Sequence, residues 1–323
     1  MTILEVQRAR LRIAAQARRT PLVQSKWLSR IAGATVGLKL ESLQKTNSFK
    51  FRGALNAVVA RRDRNPPGLT RLVTASAGNH GRALAMAAES FRLPLVVFTP
   101  ADAPTTKLRA IEEHGAELRA DARDYDEAER LAKAFAVETG ASFVSPYNDA
   151  DVIAGAATIA LELFEDLGHI DTILVPIGGG GLISGVAAAA KAIDPACRII
   201  GVEAAQSCAF QTSLRAGRLV EIVPGPTLAD GLGGNPDPET MTFSLIQRFV
   251  DEVTTVTEAD IARAIAGLVE FEHLVAEGAG AVGVAALLAA GLDRHHGQVV
   301  TIVSGSNIDR SRLQAVLDAS SAS

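Results

Sequence analysis

Four short segments carry residue types and spacings that can do chemistry, and each falls where an apolar β-type run gives way to a polar turn. In TNSFKFRG (46–53), Thr46, Asn47 or Ser48 can cap a helix, which puts Lys50 in its first turn. The helix dipole there disfavours an ammonium by a few tenths to about 1 kcal/mol and so favours a neutral, nucleophilic amine. A lysine that forms a Schiff base gains from that setting, although a lone lysine near a helix start is commonly just a solvated side chain.

The second segment is GGGG (178–181), between the strand pattern TILVPI and the helical pattern LISGVAAAAKAI. Backbone without side chains can bring several N–H groups onto one phosphate at a helix N-terminus. Four adjacent glycines carry a large entropic cost, which calls for a reason. No Lys-Ser/Thr pair closes a P-loop, and Ile183 stands where GxGxxG requires its third glycine. Glu203 ends the next strand about where a ribose-binding acid would lie, so an NAD-dependent enzyme is the rival reading from the residues alone.

SAGNHG (76–81) sets Ser76, Asn79 and His80 beside a helix N-terminus suited to a carboxylate, or makes an ordinary polar cap. His80 is assigned no catalytic part, because no Ser or Cys nucleophile motif accompanies it. SGSN (304–307) follows the apolar run VVTIV, and there Ser304 can offer one neutral hydrogen bond to a buried ligand.

These turns must be held by regular elements, and the chain supplies them. Strand runs alternate with helical patterns: VGLKLE with a helix near 48–61, RLVTAS with 79–91, LPLVVFTP with 104–115, SFVSP with 150–167. TILVPI then pairs with 181–194, RIIGVE with 206–216, VDEVTTV with 258–272, and VVTIVSG with a last helix. That order predicts a doubly wound, mainly parallel α/β architecture whose ligands gather at the strand-to-helix turns. A length of 323 residues suits about two domains. Only NPPG (65–68) and GGNPDPET (233–240) look like linkers, so the domains are interwoven.

Net charge of −4 with 4% aromatic residues gives neither the basic stripe nor the stacking platform of a nucleic-acid binder. Cys197 and Cys208 make no disulfide framework or metal spacing, and a reducing cytoplasm fits them. The arginine-rich start, interrupted by Glu5, reads as an amphipathic helix rather than a signal peptide. The longest apolar stretch, 275–292, carries Glu277 and several glycines and reads as a buried helix rather than a membrane span.

Taken in order, LKLESLQKTNSFKFRGA, SAGNHGRALA, DVIAGAATIALEL, VPIGGGGLISG, LADGLGG, EGAGAVG and VSGSNID resemble the fold type II pyridoxal phosphate enzymes. The resemblance is to threonine/serine dehydratases and serine racemase, and it spans nearly the whole chain. It implies an α/β fold like that of the tryptophan synthase β-subunit, with two doubly wound, mainly parallel-sheet domains. A large domain would comprise 1–70 plus 148–323, and a small mobile domain 71–147. It also implies a homodimer or homotetramer acting on a small amino acid.

Position by position, the resemblance makes Lys50 the lysine that carries pyridoxal 5'-phosphate, with Phe49 on the cofactor's flank. Gly178, Gly179, Gly180, Gly181 and Leu182 become the phosphate cradle, Asn79 the partner of the ring hydroxyl, and Ser304 that of the pyridine nitrogen. Ser76, Ala77, Gly78, Asn79 and His80 become the clamp for the substrate carboxylate. A neutral hydroxyl at Ser304 does not hold the ring nitrogen protonated, which favours prompt elimination of water to a 2-oxo acid and ammonia.

Three departures from the family pattern bear on function. Ala77 stands where serine racemases place the serine that works the opposite face of Cα. Of the family's cation site, for Mg, Ca or a monovalent ion, Glu203 and the Ser207 carbonyl remain, while Ala209 replaces the second acid. Asn47, a smaller departure, stands where glycine or serine-like residues are common, and it bears on either the lysine loop or the substrate pocket. The chain also stops soon after VSGSNID, so a catabolic dehydratase of L-threonine or L-serine without a regulatory domain is expected. The alternatives are a serine or aspartate racemase, a dehydratase of 3-hydroxyaspartate, phenylserine or a hydroxyectoine-derived substrate, or a homologue that binds ligand without catalysis.

Overall fold

The computed structural model describes residues 1–64, 68–289 and 297–321. Most of the NPPG segment and the last three residues of the apolar stretch therefore lie outside the described residues. Among the described residues ten strands form two sheets: β1 Leu22–Ser25, β2 Thr35–Leu40, β3 Leu72–Ala75, β4 Leu95–Pro100, β5 Glu117–Ala122, β6 Ser142–Phe143, β7 Thr172–Pro176, β8 Arg198–Ala204, β9 Glu252–Val256 and β10 Gln298–Val303.

The first sheet has the order β1-β2-β10-β7-β8-β9 and the second β5-β4-β3-β6. Every pairing between these strands is parallel except β1 with β2. Parallel strands covered on both faces read as unbroken apolar runs, and TILVP of β7 is buried at all five positions. The pleat sends Leu174, Val299 and Val303 into one apolar cluster with helices Glu258–Glu272 and Gly278–Leu288. It sends Ile173, Val175, Val300 and Ile302 into another, with helices Ala150–Leu167 and Gly181–Ile193. Helix Gly278–Leu288 is the buried helix expected in the apolar stretch, and no described helix is long and apolar enough to cross a membrane.

Two strands were not named from the sequence. β1 is only four residues long, and β5 (ELRADA) is a largely exposed edge strand whose polar pattern hides it. The helix expected at 206–216 starts only at Ala209, because Ser207 folds back to pair with Ala204.

The helix that begins with Lys50, Lys50–Arg64, lies between helices Asn79–Ser90 and Ala150–Leu167. A side chain on Gly155 would run into the Arg52 carbonyl and the Gly53 Cα, so this glycine lets two helices approach almost backbone to backbone. Below that contact a buried network fixes the helix. Arg52 holds both oxygens of Glu41 at 2.8 Å and reaches Glu162 at 2.6 Å, while Lys39 meets Glu162 at 2.6 Å and the Thr20 carbonyl at 2.8 Å. Two cations thus balance two carboxylates in an interior where an unpaired charge would be costly.

Candidate active site

The lysine loop is stitched to the turn after β10. Ser48 pairs with Gly305, the Phe49 N–H donates to the Ser304 carbonyl at 3.0 Å, and the Ser306 N–H donates to the Asn47 carbonyl at 2.9 Å. Asn47 bends the chain into this pairing with φ of 57°, a left-handed conformation that asparagine tolerates better than most residues. Its departure from the family pattern is thus accommodated in the lysine loop.

Lys50 opens its helix, as the capping residues before it predict. Its Nζ donates to the Pro146 carbonyl at 2.8 Å and lies 5.2 Å from the centre of the Phe49 ring. The side chain is only partly exposed; desolvation lowers its pKa to about 8, against the opposing pull of Glu277. A larger fraction of this amine is neutral than in an ordinary lysine.

Pro146 connects the lysine to the glycine turn, since the next residue, Tyr147, lies against it. A side chain on Gly179 would run into the Tyr147 ring, and one on Gly181 would come within 2.9 Å of the Tyr147 Cα. Gly180 has φ of 86°, which a residue with a Cβ rarely adopts. Among the described residues none accepts a hydrogen bond from the backbone N–H groups of Gly178 through Ile183. Six donors at the mouth of helix Gly181–Ile193 therefore fit a phosphate dianion.

Asn79 starts helix Asn79–Ser90 and sits in a chain whose directions are fixed by its ends. Arg82 can only donate, so the Asn307 Oδ1 accepts from it at 3.1 Å, and the Asn307 Nδ2 donates to the Asn79 Oδ1 at 2.6 Å. The Asn79 Nδ2 in turn donates to the Glu277 Oε1 at 2.7 Å. One Asn79 amide hydrogen remains, and it can meet a cofactor oxygen.

The rest of the clamp lies on the same turn. Gly78 donates to the Ser76 Oγ at 3.3 Å, while Ala77, Gly78 and Asn79 are partly exposed and Ser76 and His80 are buried. His80 is buried with its Nε2 3.4 Å from the Val144 carbonyl. Burial, then the nearby Lys50 charge, push its pKa down to about 3, so it is a neutral imidazole. Ser304 is buried where β10 ends, with its hydroxyl 3.3 Å from the Ala279 carbonyl. Amine, phosphate donors, amide and hydroxyl together fit pyridoxal phosphate.

Glu203 lies elsewhere, at the end of β8. Its two oxygens accept the N–H groups of Phe210 at 2.9 Å and Gln211 at 2.7 Å, which caps helix Ala209–Ala216. Burial raises its pKa to about 7 despite those bonds. The Ser207 Oγ accepts from the Gly234 N–H at 3.1 Å. One acid and a carbonyl are a poorer donor set than a divalent cation requires, and no group of three or more His, Cys, Asp or Glu suited to a metal occurs among the described residues.

Sequence reasoning missed Glu277, Asn307, Tyr147 and the Pro146 carbonyl as parts of the site. Glu277 had a signal, as the lone charge in an apolar stretch, but it served only the question of a membrane span. A backbone carbonyl leaves no signal at all.

Comparison with known proteins agrees with this geometry. The family model described as pyridoxal-phosphate dependent enzyme matches residues 13–305. An L-threonine ammonia-lyase of Thermotoga maritima is 40% identical over 98% of this chain and 78% of its own length. A catabolic L-threonine dehydratase of Staphylococcus aureus is 35% identical over 97% of this chain and 91% of its own length. Maize serine racemase superposes with a TM-score of 0.91 at 34% identity, covering 99% of this chain and 98% of the other. The chain belongs to the pyridoxal-phosphate dependent enzyme family and has its fold type II architecture.

Proposed function

We propose that this protein is an ammonia-lyase that eliminates water from L-threonine or L-serine and yields a 2-oxo acid and ammonia. The observation that carries the reading is Lys50, an amine with its pKa lowered to about 8, joined through Pro146 and Tyr147 to a turn with six free N–H donors. When bound, pyridoxal phosphate supplies an electron sink for the pair left behind at the substrate Cα. Gly178 to Leu182 would hold its phosphate, Asn79 would present its remaining amide hydrogen, and Ser304 would present a neutral hydroxyl.

The turn Ser76–His80 holds the substrate carboxylate at the N-terminus of helix Asn79–Ser90, which orients the Cα–H bond. The Lys50 Nζ would take that proton. Ala77 has no proton to return from the opposite face, which favours elimination over racemisation. The unit 71–147 is read as a small domain that closes over substrate against 1–70 and 148–323. The sheet β5-β4-β3-β6 is built entirely from strands within that unit, which supports the division, and the ion pairs Lys107–Asp230 at 2.8 Å and Lys133–Asp237 at 2.6 Å join it to the rest. Two free cysteines suit a reducing cytoplasm, and a homodimer or homotetramer is the assembly to test by light scattering.

A panel of β-hydroxy amino acids, assayed for keto acid and ammonia, tests the reading. Threonine or serine should give both products, and Lys50→Ala should abolish them for every substrate. D-serine accumulating faster than pyruvate from L-serine would make this a racemase instead.

A further inference from the structure

The phosphate cradle has a weakness that its own residues cannot correct. Gly179 and Gly180 are joined by a peptide plane with no side chain on either side, so little in the turn itself resists rotation of that plane. In a trans peptide the carbonyl and N–H point in opposite directions, and the described residues contain no cis bond. A flip of this plane would therefore replace an N–H donor facing the phosphate with a carbonyl oxygen, which repels it.

One side chain outside the glycine motif controls that plane. The Thr242 hydroxyl, at the start of helix Thr242–Phe249, donates to the Gly179 carbonyl at 2.9 Å. A carbonyl can only accept, so the single Thr242 proton is committed to it. The Thr240 hydroxyl, 2.8 Å away, must then donate to the Thr242 oxygen, and it accepts from the Thr242 N–H at 3.3 Å. Both threonines are buried. Thr242 also stands behind the turn, because a side chain on Gly180 would come within 2.9 Å of its Cβ.

We infer that Thr242 is a positioning residue of the phosphate cradle. By holding the Gly179 carbonyl at the back of the turn, it aims the Gly180 N–H to the front, and Thr240 holds Thr242 in the donating rotamer. The inference rests on reading Gly178 to Leu182 as the phosphate site. It predicts that the pair acts on affinity for the phosphate and leaves the aldehyde and lysine chemistry unchanged.

The test compares two probes on the full chain stripped of cofactor, pyridoxal phosphate and phosphate-free pyridoxal, each titrated by the absorbance of its lysine adduct. Thr242→Val should weaken pyridoxal phosphate binding roughly threefold to tenfold and leave pyridoxal binding unchanged. Thr242→Ser should behave as wild type, and Thr240→Val should show a smaller loss with the same selectivity. If Thr242→Val does not fold, the presence or absence of a selective loss in Thr240→Val decides. Equal losses for both probes, or no loss for either, would overturn the inference. A wild type that binds both probes equally would instead remove the cradle's phosphate role and the inference with it.

Discussion

Asn79 donates its side-chain N–H to the Glu277 Oε1 at 2.7 Å, and that carboxyl group also sets the field at Lys50. Burial raises the pKa of Glu277 to about 7, so its charge is present mainly above that pH. There it opposes the desolvation that brings Lys50 to about 8. Glu277→Gln keeps an acceptor for Asn79 and removes the charge. The Lys50 pKa should then fall below about 8, so the rate of cofactor capture should reach its plateau at lower pH. Mixing cofactor-free protein with pyridoxal phosphate across a pH series reads this; an upward shift would contradict it.

The helix cap at Glu203 makes stability depend on pH. Its folded pKa of about 7 lies above the ordinary 4.5, so the folded chain holds a proton that the unfolded chain releases between those values. The stabilisation is present below about 4.5 and is lost as pH rises through about 7, on the order of 3 kcal/mol for a shift of this size. Glu277 adds a change of the same sign. Urea unfolding at pH 5 and pH 8 should therefore differ, and Glu203→Gln should shrink the difference. It should also cost about 1 kcal/mol at pH 5, because an amide offers one acceptor where two backbone N–H groups wait.

A third expectation concerns the contact between Gly179 and Tyr147. Gly179→Ala forces a methyl into the ring and should release the cofactor. Tyr147→Ala removes the obstacle, so the double variant should retain cofactor better than Gly179→Ala alone. Additive losses in a double-mutant cycle would mean that the ring is not what excludes the methyl.

Arg52→Met leaves Glu41 and Glu162 buried with, among the described residues, only Lys39 and Thr20 for side-chain partners. Loss of one member of such a network costs about 3–5 kcal/mol, readable as a lower urea midpoint. Arg52→Lys should fall between, since it keeps the charge and loses the fork that meets Glu41 twice.

Much of this was legible in the sequence, and the boundary is physical. Lys50 and the glycine turn announce themselves because a helix start and a run without side chains are local facts. The parallel order was readable from apolar runs such as TILVP, which need cover on both faces. Glu277, Asn307 and Thr242 were not readable as site residues, because each acts through a partner distant in the chain. β5 was lost for a different reason: an edge strand need not be apolar, and ELRADA looks like surface.

The pairing of Ser48 with Gly305 has a consequence for how the enzyme is made. The reactive amine follows Ser48 closely in the chain, but the backbone that holds its loop comes only at Ser304, Gly305 and Ser306. β2, just before that loop, likewise finds its parallel neighbour only in β10. On the ribosome, Lys50 emerges long before Gly305, so productive cofactor capture must wait until that residue has been made. A chain that stalls before residue 300 carries the lysine without the wall against which it works.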